Sequence, residues 1–551
     1  MKIKLPKELK GIKFDRVTPI DMNDFSVEML LPALFHMVRT RGRRMGKPND
    51  PTLFHEYVDK LLRSGGLRGF ESGPARNLLS LWLQTSVVRM GRRGRGRQAE
   101  QILFLYPLSF LTYKAGWPQD TTRLRGVHSF VYEALKRELG DAGAVEQLFH
   151  QTFGIGLVLP PDSIDFNGTY DRSTELDVET LLCLRFLDVL APAGVGHGKP
   201  DSPHAHLAAD RAQMLARHVR SLIQTYGGHV PTALLTATLM ALINFHLLIY
   251  TLRLVHEVQW IIKGEGDPPR TEALEIYCDC PGDAESYSDL LARGCAERDL
   301  ESLERYARSL IFLRTLDRYG ADPELRPAMQ DPGNNLAAYL RDLVRICNEP
   351  LVKAQARNEW LRIRQANEDD GEGRGENEAA LYLRDSEKNT EISAVDRTVQ
   401  VLYEAQQKSA LKNLANWFTS VGGLNRSYGV LSGSEQGRRR VLRYSLSNDL
   451  LTTLVHVALA DCPAGGWRDR MRLDDFVRWL SESFGLLINR PPSFDHSIEA
   501  VRAAADNYAA LKRRLRQAGA LQDLSDAQRA LFIRLPAQRP SAATASGGAC
   551  A

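Results

Sequence analysis

The chain is short of most features that fix a function by inspection. Its seven cysteines, Cys183, Cys278, Cys280, Cys295, Cys347, Cys462 and Cys550, are odd in number and follow no framework spacing. That excludes a disulfide-stapled secreted domain and fits a reducing compartment. Only Cys278-Asp-Cys280 with Cys295 forms a cluster, and it lacks the second C-x-x-C pair of a structural zinc site, so these read as ordinary thiols. An excess of one charge is also missing. Lys and Arg number 71 against 67 Asp and Glu, a net of +4, so affinity for nucleic acid has to come from local basic patches. The opening MKIKLPKELKGIKFD has no apolar core of a secretory signal, and the expected location is cytoplasmic.

Long apolar runs are limited to one. Residues 231–252, PTALLTATLMALINFHLLIYTL, carry no charge over a length that could cross a bilayer. Four Thr, Asn244 and His246 interrupt the run, and Arg253 follows at once. A lone span in an otherwise polar chain is a poorer reading than a fully buried central helix, so no membrane contact is expected. Alternating, strand-like runs are few and short. Residues 103–112 could be either type, and RVLRYSL at 440–446 alternates as one strand of a small hairpin.

What the chain does have is helical periodicity. Phe25, Met29, Leu30, Leu34 and Met37 fall on one stripe of 24–39. Leu207, Met214, Leu215, Val219 and Leu222 do so in 207–226, and Val399, Leu402, Tyr403, Leu411, Leu414 and Phe418 in 395–418. The fold class is therefore mainly α, and 551 residues are too many for one core, so several domains are expected. The acidic, Gly-containing stretch QANEDDGEGRGENE at 365–378 cannot bury anything and reads as a linker. APAGVGHGKPDSP at 191–203 is a second break, and the tail from 536 is low in complexity. These breaks suggest an N-terminal helical domain (1–190), a central one around the apolar helix (204–364), an acidic linker (365–394), a C-terminal domain (395–535) and a disordered tail. In the C-terminal part a long helix leads through Gly422-Gly423 into a basic hairpin. Helices then follow, opened by Ser447-Asn448-Asp449 as N-cap chemistry, and the order suggests a small winged-helix-like module.

Catalytic signatures are missing too. Gly194-Val-Gly-His-Gly198-Lys199-Pro200 approaches a phosphate loop, but Ala193 replaces the first glycine and Pro200 removes the hydroxyl and amide that the loop needs. His197, His204, His206 and Asp201 could offer metal ligands, yet no second ligand motif accompanies them, and a solvated loop is the plainer reading. No G-x-S-x-G elbow occurs. Asp165, Asp171, Glu175, Asp177 and Glu179 could hold magnesium as a nuclease would, or could cap the helix that follows. Neither a cofactor nor a metal is expected.

The positive signal is arginine. Dense runs occur at Arg39, Arg41, Arg43 and Arg44; at Arg89, Arg92, Arg93, Arg95 and Arg97; at Arg438, Arg439, Arg440 and Arg443; and at Lys512, Arg513, Arg514 and Arg516. Arginine binds phosphate in a bidentate fork, and interspersed glycines let a loop follow a backbone closely. For any one run a solvated face is the competing reading. Contacts to double-stranded DNA phosphates are expected at Arg438, Arg439, Arg440 and Arg443, and at Arg92, Arg93, Arg95 and Arg97.

The stretch GGLNRSYGVLSGSEQGRRRVLRYSLSNDLLTTLVHVAL, followed by LDDFVRWLSESFGLLINRPP and NYAALKRRLRQAGALQDLSDAQRALFIRL, resembles the accessory subunits of bacterial methylation-associated anti-phage defence systems. Phosphorothioation-dependent restriction systems are a more distant likeness. The resemblance covers about the last 150 residues and brings no catalytic motif with it. It implies a non-enzymatic component working beside an ATPase or helicase, a nuclease and a DNA methyltransferase. The rivals are a metal-dependent nuclease or toxin effector using the acids or histidines above, and a protein scaffold without DNA contact.

Overall fold

The computed structural model describes residues 3–43, 53–65, 67–91, 101–115, 124–158, 169–171, 173–187, 189, 206–264, 274–368, 378–388, 391–436, 439–462, 466–523 and 531–535. Helices dominate them. The N-terminal part carries α1 (Leu30–Arg39), α2 (Phe54–Arg63) and α3 (Gly73–Trp82), the strands β1 (Val88–Gly91) and β2 (Gln101–Leu105), then α4 (Val127–Leu139) and α5 (Ala142–Phe153). A short pair, β3 (Leu157–Val158) and β4 (Thr169–Tyr170), precedes α6 (Val178–Leu187). The middle holds α7 (Ala209–Tyr226), α8 (Thr232–Lys263), β5 (Ile276–Tyr277) and α9 (Tyr287–Tyr319). Then come α10 (Leu336–Ile346), α11 (Pro350–Glu368), α12 (Glu378–Lys388) and α13 (Ala394–Val421). The acidic stretch between α11 and α12 lies outside the described residues, as do the histidine loop up to His204 and the tail from 536.

The apolar run is the 32-residue α8, and it is buried almost all round. Several polar side chains along it meet protein partners. Thr236 donates to the Pro107 carbonyl at 3.1 Å and Asn244 to that of Val421 at 2.7 Å, while Thr251 accepts from the Trp417 indole at 2.9 Å. Arg253 pairs with Glu257 at 3.0 Å, and Glu257 in turn accepts the Ala208 amide that opens α7. A lipid could supply none of the partners from other elements, which come from the Pro107 loop, α13 and the residue before α7.

After α13 the chain changes texture. Strands β6 (Leu431–Gln436) and β7 (Arg439–Tyr444) form an antiparallel hairpin that lies on α9. Next come α14 (Asn448–Ala460), β8 (Met471–Arg472), α15 (Leu473–Phe484), β9 (Leu486–Leu487), α16 (Ile498–Gln517), β10 (Leu521–Asp523) and β11 (Leu531–Ile533). Ser447 caps α14 by accepting the Leu450 amide, as the Ser-Asn-Asp signal implies, and Ser497 caps α16 through Ala500. The sheet order is β10-β11-β8, so the first strand pairs along the far side of the later hairpin. One apolar cluster runs through the whole described chain, from Ile3 to Ile533.

Two buried joints hold this last module to the body. Strand β9 pairs in parallel with β5, which places Gly485 (φ +72°) against the Leu274 carbonyl so closely that any Cβ would clash. Asn507, fully buried on α16, completes the joint. Its Oδ1 accepts the Cys280 amide at 2.7 Å, and its Nδ2 donates to the Cys278 and Ile488 carbonyls at 3.0 Å each. At the second joint, His218 on α7 donates from Nε2 to Asp461 at 3.2 Å. With both rings neutral, its Nδ1 then accepts from Nε2 of His246 at 3.0 Å, while Arg217 and Trp479 also reach Asp461.

Asn507→Leu keeps the volume and deletes three hydrogen bonds. We expect a stability loss of about 3 kcal/mol, read as a lower urea midpoint, because a buried amide and two carbonyls lose their partner. A pH dependence follows from the histidines. Burial is the main cause that lowers His218 and His246, and burial with the neighbouring His128 brings His36 to about 4. Because the folded values lie below the unfolded one, near 6.5, the unfolded chain binds more protons as pH falls. Stability is then complete above about pH 6.5 and declines toward pH 4. A thermal midpoint that stays flat between pH 7 and pH 5 contradicts this.

Candidate nucleic-acid interface

The arginine run nearest the hairpin splits between two roles. Arg443, on β7, turns inward: its guanidinium lies 2.7 Å from Asp289 and 3.7 Å from Asp279, both essentially without solvent exposure. Arg293 meets the other Asp289 oxygen at 2.6 Å, and Ser288 donates to Asp279 at 2.8 Å. Beside them the Tyr444 hydroxyl donates to the buried Asp299 at 2.8 Å. Burial is the largest influence on Asp279 and Asp299 and raises both carboxyls, although Ser288 and Arg443 at the first and Arg298 and Tyr444 at the second pull the other way. This is a clamp between hairpin and α9, which turns Arg443 away from the surface where a DNA phosphate is expected. Arg439 and Arg440 stand in β7 opposite Gln436 and Glu435, next to the hairpin turn. Arg438, and the set Arg92, Arg93, Arg95 and Arg97, lie outside the described residues.

The fourth run behaves differently. Arg514 is held inside, donating to the Leu446 carbonyl at 2.5 Å and to Asn448 at 2.7 Å. Its neighbours face out. Ala500, Ala503, Ala504, Asn507, Leu511 and Leu515 take the buried face of α16, which leaves Arg502, Ala505, Arg513 and Arg516 on the exposed one. The Lys512 ammonium sits 4.7 Å from the Tyr508 ring centre, and the Tyr508 hydroxyl donates to Asp474 at 2.8 Å, at the start of α15. Arg472, in β8, is the residue just before that helix, and Arg470 lies over the Phe532 ring of β11 at 4.8 Å. The exposed cations of α16 and Arg470 and Arg472 thus belong to one module, in which Asp474 and the exposed Asp506 stand among them.

The Lys512 to Arg516 run was visible in sequence, but only the buried phase of α16 tells which members turn outward. Arg470 and Arg472 alternate with other residues and Arg502 stands eleven residues before Arg513, so none belongs to an unbroken basic run. The N-terminal run is also partly internal: Arg39, buried, and Arg41 share Glu146 at 2.5 and 3.6 Å.

The acids proposed for metal chemistry do local work. Asp171 accepts from the Ser173 amide and hydroxyl at 2.9 and 2.7 Å, closing a turn. Asp177 caps α6 through Thr180 and also accepts from Thr232 at 3.0 Å. Asp165 lies outside the described residues. Described His206 packs against Phe130 and Tyr250. Cys278, Cys280 and Cys295 are buried, and burial pushes the last two thiols up to about 12 and about 11. Among the described residues, no three His, Cys, Asp or Glu side chains are grouped as metal ligands.

A family model described as methylation-associated defense system protein MAD7 matches residues 7–534. No curated protein matches the chain.

Arg443→Ala strands Asp289 beside only Arg293. We expect it to cost about 3 kcal/mol in denaturant unfolding, as breaking a buried ion pair does, while leaving the salt dependence of DNA binding unchanged. A flattened salt dependence instead would assign Arg443 to the nucleic acid.

Proposed function

Since the chain belongs to the methylation-associated defense system protein MAD7 family, we propose that it is a non-catalytic subunit of such a system that holds the assembly on duplex DNA. The observation that carries this reading is the outward basic row of α16 on a helix–strand–helix–helix–hairpin module with sheet order β10-β11-β8. That connectivity is the one a winged helix uses, with α16 in the place of the helix that meets DNA and the β10–β11 hairpin in the place of the wing. Lys512, Arg513 and Arg516 then bind phosphates, with Arg470 and Arg472 beside them. Such contacts set position and general affinity and leave sequence choice to other groups. Arg439 and Arg440, which open β7, form a second contact to phosphate, and Arg438 precedes them in sequence.

Within the assembly the chain works beside an ATPase or helicase, a nuclease and a methyltransferase. One feature favours a stronger protein-binding role, the second reading. Ile498 and Val501 on α16, with Phe494 just before it, are 81%, 55% and 51% exposed, an apolar strip that water does not favour. On that reading α16 meets a protein through its N-terminal half and the arginines serve acidic partners.

Duplex binding measured across salt separates the two. For wild type we expect the logarithm of affinity to fall linearly with the logarithm of salt. Lys512/Arg513/Arg516→Ala should flatten that slope by about 2 to 3, close to one unit for each phosphate contact removed. No binding by the full chain at low salt overturns the DNA reading and leaves the protein-binding one.

A further inference from the structure

A cavity of about 470 Å³ opens where the first turns of α8 and α14 meet the β1–β2 hairpin and the turn before β6. That size encloses small organic ligands. Its floor is apolar, from Leu234, Ala237 and Met240 of α8. Its rim is polar and mixed: Glu28 and Arg89, paired at 3.3 Å and both partly open to solvent, with Tyr106, Ser427 and Tyr428 around them. Both tyrosine hydroxyls feel the charges of Glu28 and Arg89, so all four groups converge.

The wall that carries Tyr428 is built at a cost in sequence freedom. Gly423, at φ +60°, would place a Cβ 2.7 Å from the Gly429 Cα and 3.2 Å from the Tyr428 ring. A Cβ on Gly429 would in turn strike the Gly423 carbonyl. Only glycine at both positions lets the turn close and set Tyr428 over the cavity. Arg426, exposed on the same turn, brings positive charge to Tyr428.

We propose that this cavity binds a nucleobase carrying an exocyclic amino group, with its phosphate toward Arg89 and Arg426. A flat heteroaromatic ring matches an apolar floor beside tyrosines, where a sugar would leave the floor unmatched and an aliphatic chain would leave the rim unpaired. The Glu28 carboxylate accepts from the amino group, and the Ser427 and tyrosine hydroxyls serve ring nitrogens or carbonyls. The base can belong to a free nucleotide or to one turned out of a duplex, which costs a few kcal/mol of stacking. The proposal does not rest on the α16 contact.

The test uses the full chain and two probes: 2-aminopurine deoxyriboside 5′-monophosphate, and a duplex with one internal 2-aminopurine and a dye at a distant end. Emission of 2-aminopurine reports base capture, and dye anisotropy separately reports duplex binding. We expect an emission change for at least one probe. It should weaken about tenfold in Tyr428→Leu, which removes an aromatic partner, and in Ala237→Trp, which fills the cavity from an exposed position. A response to the free nucleotide identifies a mononucleotide site, and a response only in the duplex identifies an extruded base. Unchanged emission of both probes overturns the proposal, as does a response that neither variant weakens while both melt as wild type does. Anisotropy without emission change leaves the α16 contact standing and removes the cavity.

Discussion

The structure depends on burying one helix that has no polar face. Helix α8 is 32 residues long and apolar around most of its circumference, so no single neighbour can cover it. It therefore recruits α7, α9, α10, α13, α14 and the N-terminal segment, which is why one apolar cluster joins parts of the chain hundreds of residues apart. The polar groups embedded in α8 turn this from a greasy collapse into one register. Asn244 fits only where α13 ends, Thr251 only where Trp417 arrives, and His246 only against His218. A slide of the helix by one residue would orphan all three at once.

The same logic governs charge. The ion pairs that matter are those withdrawn from solvent. Asp289 with Arg443 joins α9 to β7, and Glu257, paired to Arg253 within α8, also takes the Ala208 amide at the start of α7. They contribute little net energy over an apolar seam, yet they penalise any mismatched docking heavily. On α16 the inward place is taken by Arg514 alone, while Arg502, Arg513 and Arg516 stand on the exposed face.

Much of the architecture was legible from periodicity. The stripes at 207–226 and 395–418 became α7 and α13 with ends displaced by a few residues, and the apolar run became a buried helix. The alternation at 440–446 did mark a strand, β7. What periodicity could not carry was long-range placement. Nothing local in Arg443 distinguishes it from Arg439; its partners Asp279 and Asp289 stand more than 150 residues away. Likewise β8, β10 and β11 are two or three residues each, too short to alternate, and they exist because they pair with one another. The acids at Asp171 and Asp177 were ambiguous for the opposite reason, since capping and metal binding ask for the same residues at the same spacing.

The joint between β5 and β9 has an evolutionary consequence. A C-terminal module tethered by a flexible linker can be exchanged between proteins as a cassette, because nothing in its host knows its shape. Here the host supplies β5, the Leu274 carbonyl against Gly485, and the backbone of Cys278 and Cys280 to Asn507. Moving the module elsewhere means moving its socket as well, across some 200 residues of intervening chain. Lineages of this protein are therefore bound to diversify the module in place, by changing its outer surface, and not by swapping it.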